Sequence, residues 1–220
     1  MDDLSLFQRV AVWAIPVLFA ITVHEVSHGF VALRLGDPTA KMLGRLTLNP
    51  IKHIDPLGTI ALPLLMLVMT MGSFVFGWAK PVPVTWENLR HPKRDMAIVA
   101  AAGPISNLLM ALFWALLMRL ATSLGMEPGS AMLFLFYVSA AGIKINVILA
   151  VLNLLPLPPL DGGRVAVGLL PGPLSWQLSR LEPYGFIIIL ALLVTKVLGV
   201  ILQGPVMFFL DLYFSLGGLI

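Results

Sequence analysis

Five long stretches almost empty of charge set the limits on what this chain can fold into. Residues 56–79 and 96–118 contain no Asp, Glu, Lys or Arg. The stretch 131–160 carries one charge, Lys144, and 183–210 carries one, Lys196. Residues 10–23 are also free of charge, and their apolar run continues to Leu33 past His24, Glu25 and His28. A bilayer core of about 30 Å is crossed by about 20 helical residues. A soluble globule of this size has too little interior to hide so much apolar surface. Composition agrees: 59% of the 220 residues are hydrophobic and 11% charged, against roughly 25% charged in soluble domains. Disorder and an ordinary soluble fold are thereby excluded. The reading is an all-α polytopic membrane protein of about 4–6 membrane segments, forming one domain over 1–220.

Polar connections at 34–55, 80–95, 119–130 and 161–182 join these segments, and none is long enough to hold an appended soluble domain. Lys144 and Lys196 can snorkel or point into the bundle, so neither breaks the helical reading. The net charge of +3 reflects topology, because the basic residues sit in the loops and form no stripe with aromatics. A nucleic-acid partner is not expected. Cysteine is absent, which removes disulfides, thiolate metal sites and cysteine nucleophiles. The first stretch is not read as a signal peptide: acidic Asp2 and Asp3 precede it and no small-residue cleavage pattern follows.

The chemistry concentrates at the far end of that first stretch, in His24-Glu25-Val26-Ser27-His28. Residues four apart share a helix face, so both imidazoles can reach one tetrahedral zinc. Glu25, one step round from His24, is placed to act as a general base on water. Ionisable groups near the middle of a spanning helix cost about 2.5–3.5 kcal/mol each on insertion scales, and a metal compensates them. A catalytic zinc normally has three protein ligands. Asp161 stands out as the third, at the end of an apolar run where Pro156, Pro158 and Pro159 must end the helix. Gly162 and Gly163 permit a sharp turn that would swing its carboxylate inward. An ordinary solvated aspartate in a Pro/Gly turn is the other reading of the same residues.

Three ordered motifs resemble the site-2 protease family of intramembrane zinc metalloproteases. They are His24-Glu25-Val26-Ser27-His28-Gly29, Ala102-Gly103-Pro104-Ile105-Ser106-Asn107, and the Asn153…Pro156…Asp161-Gly162-Gly163 stretch. The resemblance is to compact bacterial members without PDZ or CBS domains. It implies one Zn²⁺ per chain on His24, His28 and Asp161, with Glu25 as general base. It also implies that Asn153 and Asn107 help hold the substrate backbone or its oxyanion. The substrate it implies is a membrane-anchored protein or peptide, cut in or near its transmembrane segment, in regulated intramembrane proteolysis or signal-peptide remnant clearance.

Lys80-Pro81-Val82-Pro83-Val84 suits the holding of such a substrate, since Pro81 and Pro83 exclude helix and favour an extended edge. A short β-hairpin near 56–84 is expected there by resemblance, and a plain Pro-rich loop is the alternative. His53 and His91 read as surface histidines in basic loops. Arg90, Lys93 and Arg94 read as contacts to anionic lipid head groups. A different function from the same His/Glu/Asp cluster would be a small metal-ion transporter, although the sequence shows no two related halves of the kind that carry paired broken helices in transporters.

Parity bears on topology. If 56–79 crossed the membrane once, Asp161 would emerge on the face opposite His28, so 56–79 should be re-entrant. Gly58, Pro63, Gly72 and Gly77 offer places to bend. The loops 34–55 and 80–95 are both basic, which places them and the active site toward the cytoplasm of a bacterial inner membrane, with the N-terminus outside.

Overall fold

The computed structural model describes residues 4–69 and 79–219. The segment α1 (Leu6–Leu35) begins at a capping box, in which Ser5 and Gln8 satisfy one another's backbone N–H groups. It ends at Gly36, whose φ of 118° only glycine adopts readily. A short α2 (Thr39–Met42), a 3₁₀ turn (Pro50–His53), a π-helical turn (Pro56–Ala61) and α3 (Leu62–Met69) follow. Next come the long α4 (Pro92–Ser123) and α5 (Ala131–Asn153), then α6 (Asp161–Leu169) and α7 (Gly172–Ser179). α8 (Glu182–Val194) and α9 (Val197–Leu216) complete the chain. α1, α4, α5 and α9 are each long and apolar enough to cross a bilayer, while α7 and α8 form a pair bent by 64°.

Lipid is as apolar as leucine, so helices in a bilayer gain by close packing and small residues rather than by hiding oil from water. The α4–α5 contact is built that way. Ala111, Ala115, Ala141 and Ala150 are fully or almost fully buried. A Cβ on Gly142 would stand 2.4 Å from the Trp114 ring, so that glycine lets the indole lie directly on the α5 backbone. α6 packs against the first turns of α4 in the same manner, since a Cβ on Gly168 would meet Ala97 Cβ at 2.7 Å.

Three expectations are corrected or bounded. Among the described residues there is no strand. In the stretch expected to hold a β-hairpin, 56–69 is helical and 79–85 is neither helix nor strand; 70–78, with Gly72 and Gly77, lie outside the described residues. The reason is local: Asp55 accepts from the N–H groups of Leu57 and Gly58, and Pro56 follows at the first position, which starts a helix. The window 183–210 is not one span. It breaks at Lys196, whose φ is 62°, and the second helix runs on past Asp211 to Leu216.

The two ends of the 54–79 stretch do lie together. Lys80 N–H donates to His53 O at 2.9 Å, so the chain leaves and returns at one place beside the end of α1.

Candidate metal centre

His24 and His28 occupy successive turns of α1, and their Nε2 atoms are 3.1 Å apart. Asp161, at the start of α6, brings Oδ2 to 3.1 Å from His24 Nε2 and 3.4 Å from His28 Nε2. The outward-facing nitrogens are both taken: His24 Nδ1 pairs with Asn107 Oδ1 at 2.5 Å, and His28 Nδ1 with Val99 O at 2.8 Å. A carbonyl accepts only, so Nδ1 carries the proton in each ring and the Nε2 lone pairs point at one spot.

Zinc fits this donor set. With ligand distances of about 2.0–2.1 Å, the edges of a tetrahedron are about 3.3 Å long, close to the three spacings observed. Asp161 Oδ2 is buried and has no hydrogen-bond partner of its own, the mark of an atom placed for something else.

Helix breakers and glycines make this convergence fit. The prolines end α5 as expected, but Gly162 and Gly163 are helical and serve close approach rather than a turn. A Cβ on either would lie within 2.5 Å of the Leu154–Pro158 backbone. Gly103 of α4 lies directly behind the two imidazoles, where a Cβ would stand 2.5 Å from His28 Nε2.

The other candidates divide. Glu25 lines a cleft of about 520 Å³ beside His24, His28 and Asp161, with Pro81, Val82, Val84 and Asn153. Glu25 Oε2 accepts from Val82 N–H at 2.7 Å. Asn153 donates from Nδ2 to Leu149 O, which leaves its second amide hydrogen for the cleft. Lys80 and Pro83 belong to the same 79–85 segment but are absent from the cleft lining. Asn107 is fully buried behind His24, where Nδ2 donates to Asn146 Oδ1 at 2.9 Å and to Ala20 O at 3.3 Å. Asn146 in turn donates to Gly142 O. These contacts make Asn107 a partner of the His24 ring and place it away from the cleft.

The 79–85 segment is strapped by loop 36–55. Arg45 Nη2 donates to Lys80 O at 2.9 Å, and Asp37 Oδ2 accepts from Thr85 N–H at 2.7 Å. Asp37 is fully buried and also accepts from Thr39 and Asn88. Burial opposes its charge, yet these donors hold its carboxyl below the ordinary range. His53 is not on the surface: it is 2% exposed, its Nε2 against Thr47 O, because the 3₁₀ turn folds it under the loop. His91 is exposed, as expected.

Asn146, Asp37 and Arg45 escaped the sequence reading. Asn146 left one signal, an amide inside an apolar run, and Gly36-Asp37-Pro38-Thr39 left another, a local turn pattern.

Curated relatives carry the same chemistry in their names. "Putative zinc metalloprotease YwhC" of Bacillus subtilis is 42% identical over 184 residues, which cover 82% of this chain and 79% of that protein. The chain belongs to this zinc metalloprotease family. "Putative zinc metalloprotease Rip2" of Mycobacterium tuberculosis is 30% identical over 195 residues, 89% of this chain and 71% of the relative. The Rip2 of Mycolicibacterium smegmatis is 33% identical over 82% of this chain and 66% of its own length. No family model and no solved structure matches.

Proposed function

We propose that this metalloprotease works inside the membrane, as a site-2-type endopeptidase that cuts a membrane-anchored substrate in or near its transmembrane segment. The observation that carries the reading is where the ligands stand. His24 and His28 lie within a helix long and apolar enough to span a bilayer, and Asp161 joins them just beyond the end of another.

When bound, zinc would supply Lewis acidity, lowering the pKa of water and polarising the scissile carbonyl. The protein's own residues do the rest. Glu25 takes a proton from the attacking water and returns it to the leaving amine. The free amide hydrogen of Asn153 is directed to the carbonyl oxygen, where one such donor is worth about 3 kcal/mol. A helical substrate hides its peptide bonds, so the 79–85 segment has to hold it extended. Pro81 and Pro83 carry no N–H, and Lys80, Val82 and Thr85 use theirs within the protein. The Val84 N–H, beside the cleft, has no acceptor among the described residues and is available to an added strand. The basic loops 34–55 and 80–95 favour a cytoplasmic site in a bacterial inner membrane.

The Glu25→Gln variant tests this reading against ion transport. A protease keeps its zinc, loses cleavage and retains its substrate for capture; a transporter shows altered metal flux and no proteolysis to lose.

A further inference from the structure

Two charges face outward from the helix bundle where a bilayer would surround it. Lys144 lies on α5 about 14 Å from Asn153 and about 20 Å from Ala131, at 1.5 Å per residue, so it stands near the middle of the span. It is exposed, while its neighbours Ile143, Asn146 and Val147 are fully buried. Asp211 lies inside α9 and is exposed, while Tyr213, two residues on, is buried against the bundle. Neither residue makes an ion pair or hydrogen bond with any described residue.

The depth of the two charges can be read from α4. Asn146 bonds to Asn107, which sets Lys144 roughly level with the middle of α4. Tyr213 Oη donates to Leu108 O, and a Cβ on Gly217 would touch the Met118 side chain. Those contacts set Asp211 within about two helical turns of the Lys144 level, on adjacent helices. A Lys side chain spans most of that interval.

A lone charge against lipid tails is costly, and such residues normally pair or face a protein surface. We propose that Lys144 and Asp211 form the centre of a two-fold interface between two copies of this chain in the membrane. An axis along the membrane normal preserves depth. It sets Lys144 of one copy against Asp211 of the other, and the reverse, so both charges of both copies are matched. The single-sided alternative, an acidic or basic substrate helix, would cover one charge and leave the other exposed.

The test exploits the reciprocity. Wild type, Lys144→Asp, Asp211→Lys and an equal mixture of the two variants are reconstituted in phosphatidylethanolamine/phosphatidylglycerol vesicles. Self-association is read by energy transfer between labelled copies across a range of protein densities. Each variant alone should weaken association about tenfold or more, since like charges then face each other at both contacts. The mixture should restore it, because a mixed pair again matches every charge. Thermal melts of each variant check that the fold persists. A monomeric wild type at all densities, single variants that associate like wild type, or a mixture with no restoration would each overturn the proposal. A pair within one chain, or snorkelling of each charge alone, gives the last of these results.

Discussion

Gly103→Ala adds one methyl group at the point where α4 backs the two imidazoles. That methyl would lie 2.5 Å from His28 Nε2 and 2.6 Å from His24 Cε1, where ordinary contact begins at 3.4 Å. The rings cannot swing aside freely, because Asn107 and Val99 hold their Nδ1 atoms. The donor nitrogens must therefore retreat by nearly an ångström, several times the tolerance of about 0.2 Å in a metal–ligand distance. Two smaller effects act on the fold. Alanine in place of a helical glycine stabilises by about 0.5–1 kcal/mol, and overpacking costs about 1–3 kcal/mol. The variant should stay folded, melt within a few degrees of wild type, and lose tenfold or more in zinc affinity. Loss of cleavage should be about a hundredfold, the usual effect of a 1 Å misplacement. Gly204→Ala, also helical but facing open space, is the matched control and should leave metal content and cleavage unchanged. Metal analysis after chelator competition, with a melt by circular dichroism, reads both quantities. A Gly103→Ala protein that holds zinc as tightly as wild type would refute the geometric reasoning.

Asn107→Ala removes the group that fixes the His24 proton and leaves Asn146 Oδ1 without its donor; zinc affinity should fall about 10–100-fold, by the same chelator competition, and an unchanged affinity would sever the link. Asn153→Ala should keep its zinc and lower turnover by up to about a hundredfold, with unchanged kinetics reducing the residue to a helix end. Asp37 titrates below its unfolded value, so the stability it contributes is present above the ordinary carboxylate range and is lost as pH falls through its lowered pKa. Melts of wild type between pH 5 and about pH 2 should therefore steepen relative to Asp37→Asn, and parallel profiles would count against the strap.

The three candidate metal donors were legible because their signal is local. Two histidines at helical spacing declare a face, and prolines declare where α5 must stop and free Asp161. The neighbours of those ligands were not. Asn146 matters only because α4 presents Asn107 at its level, a relation no spacing within α5 records. His53 was misread since a polar loop does not reveal what folds over it. Asp211 was lost for a different reason: spans were bounded by charge, and α9 carries its charge inside. The Gly162-Gly163 pair was noticed for conformational freedom, whereas the fold uses its missing side chains.

The ligand set is divided unequally along the chain, and that has a consequence for how the protein is made. A ribosome that has finished α1 has produced two of the three ligands and nothing that holds them. Asn107 and the Val99 carbonyl arrive with α4, and the carboxylate only after α5 has been completed. The nascent chain therefore has no complete site until most of its helices have been synthesised. On the proposed ligand set, metal loading becomes one of the last events of biogenesis, and a chain stalled or truncated before residue 161 lacks the carboxylate that would complete the site.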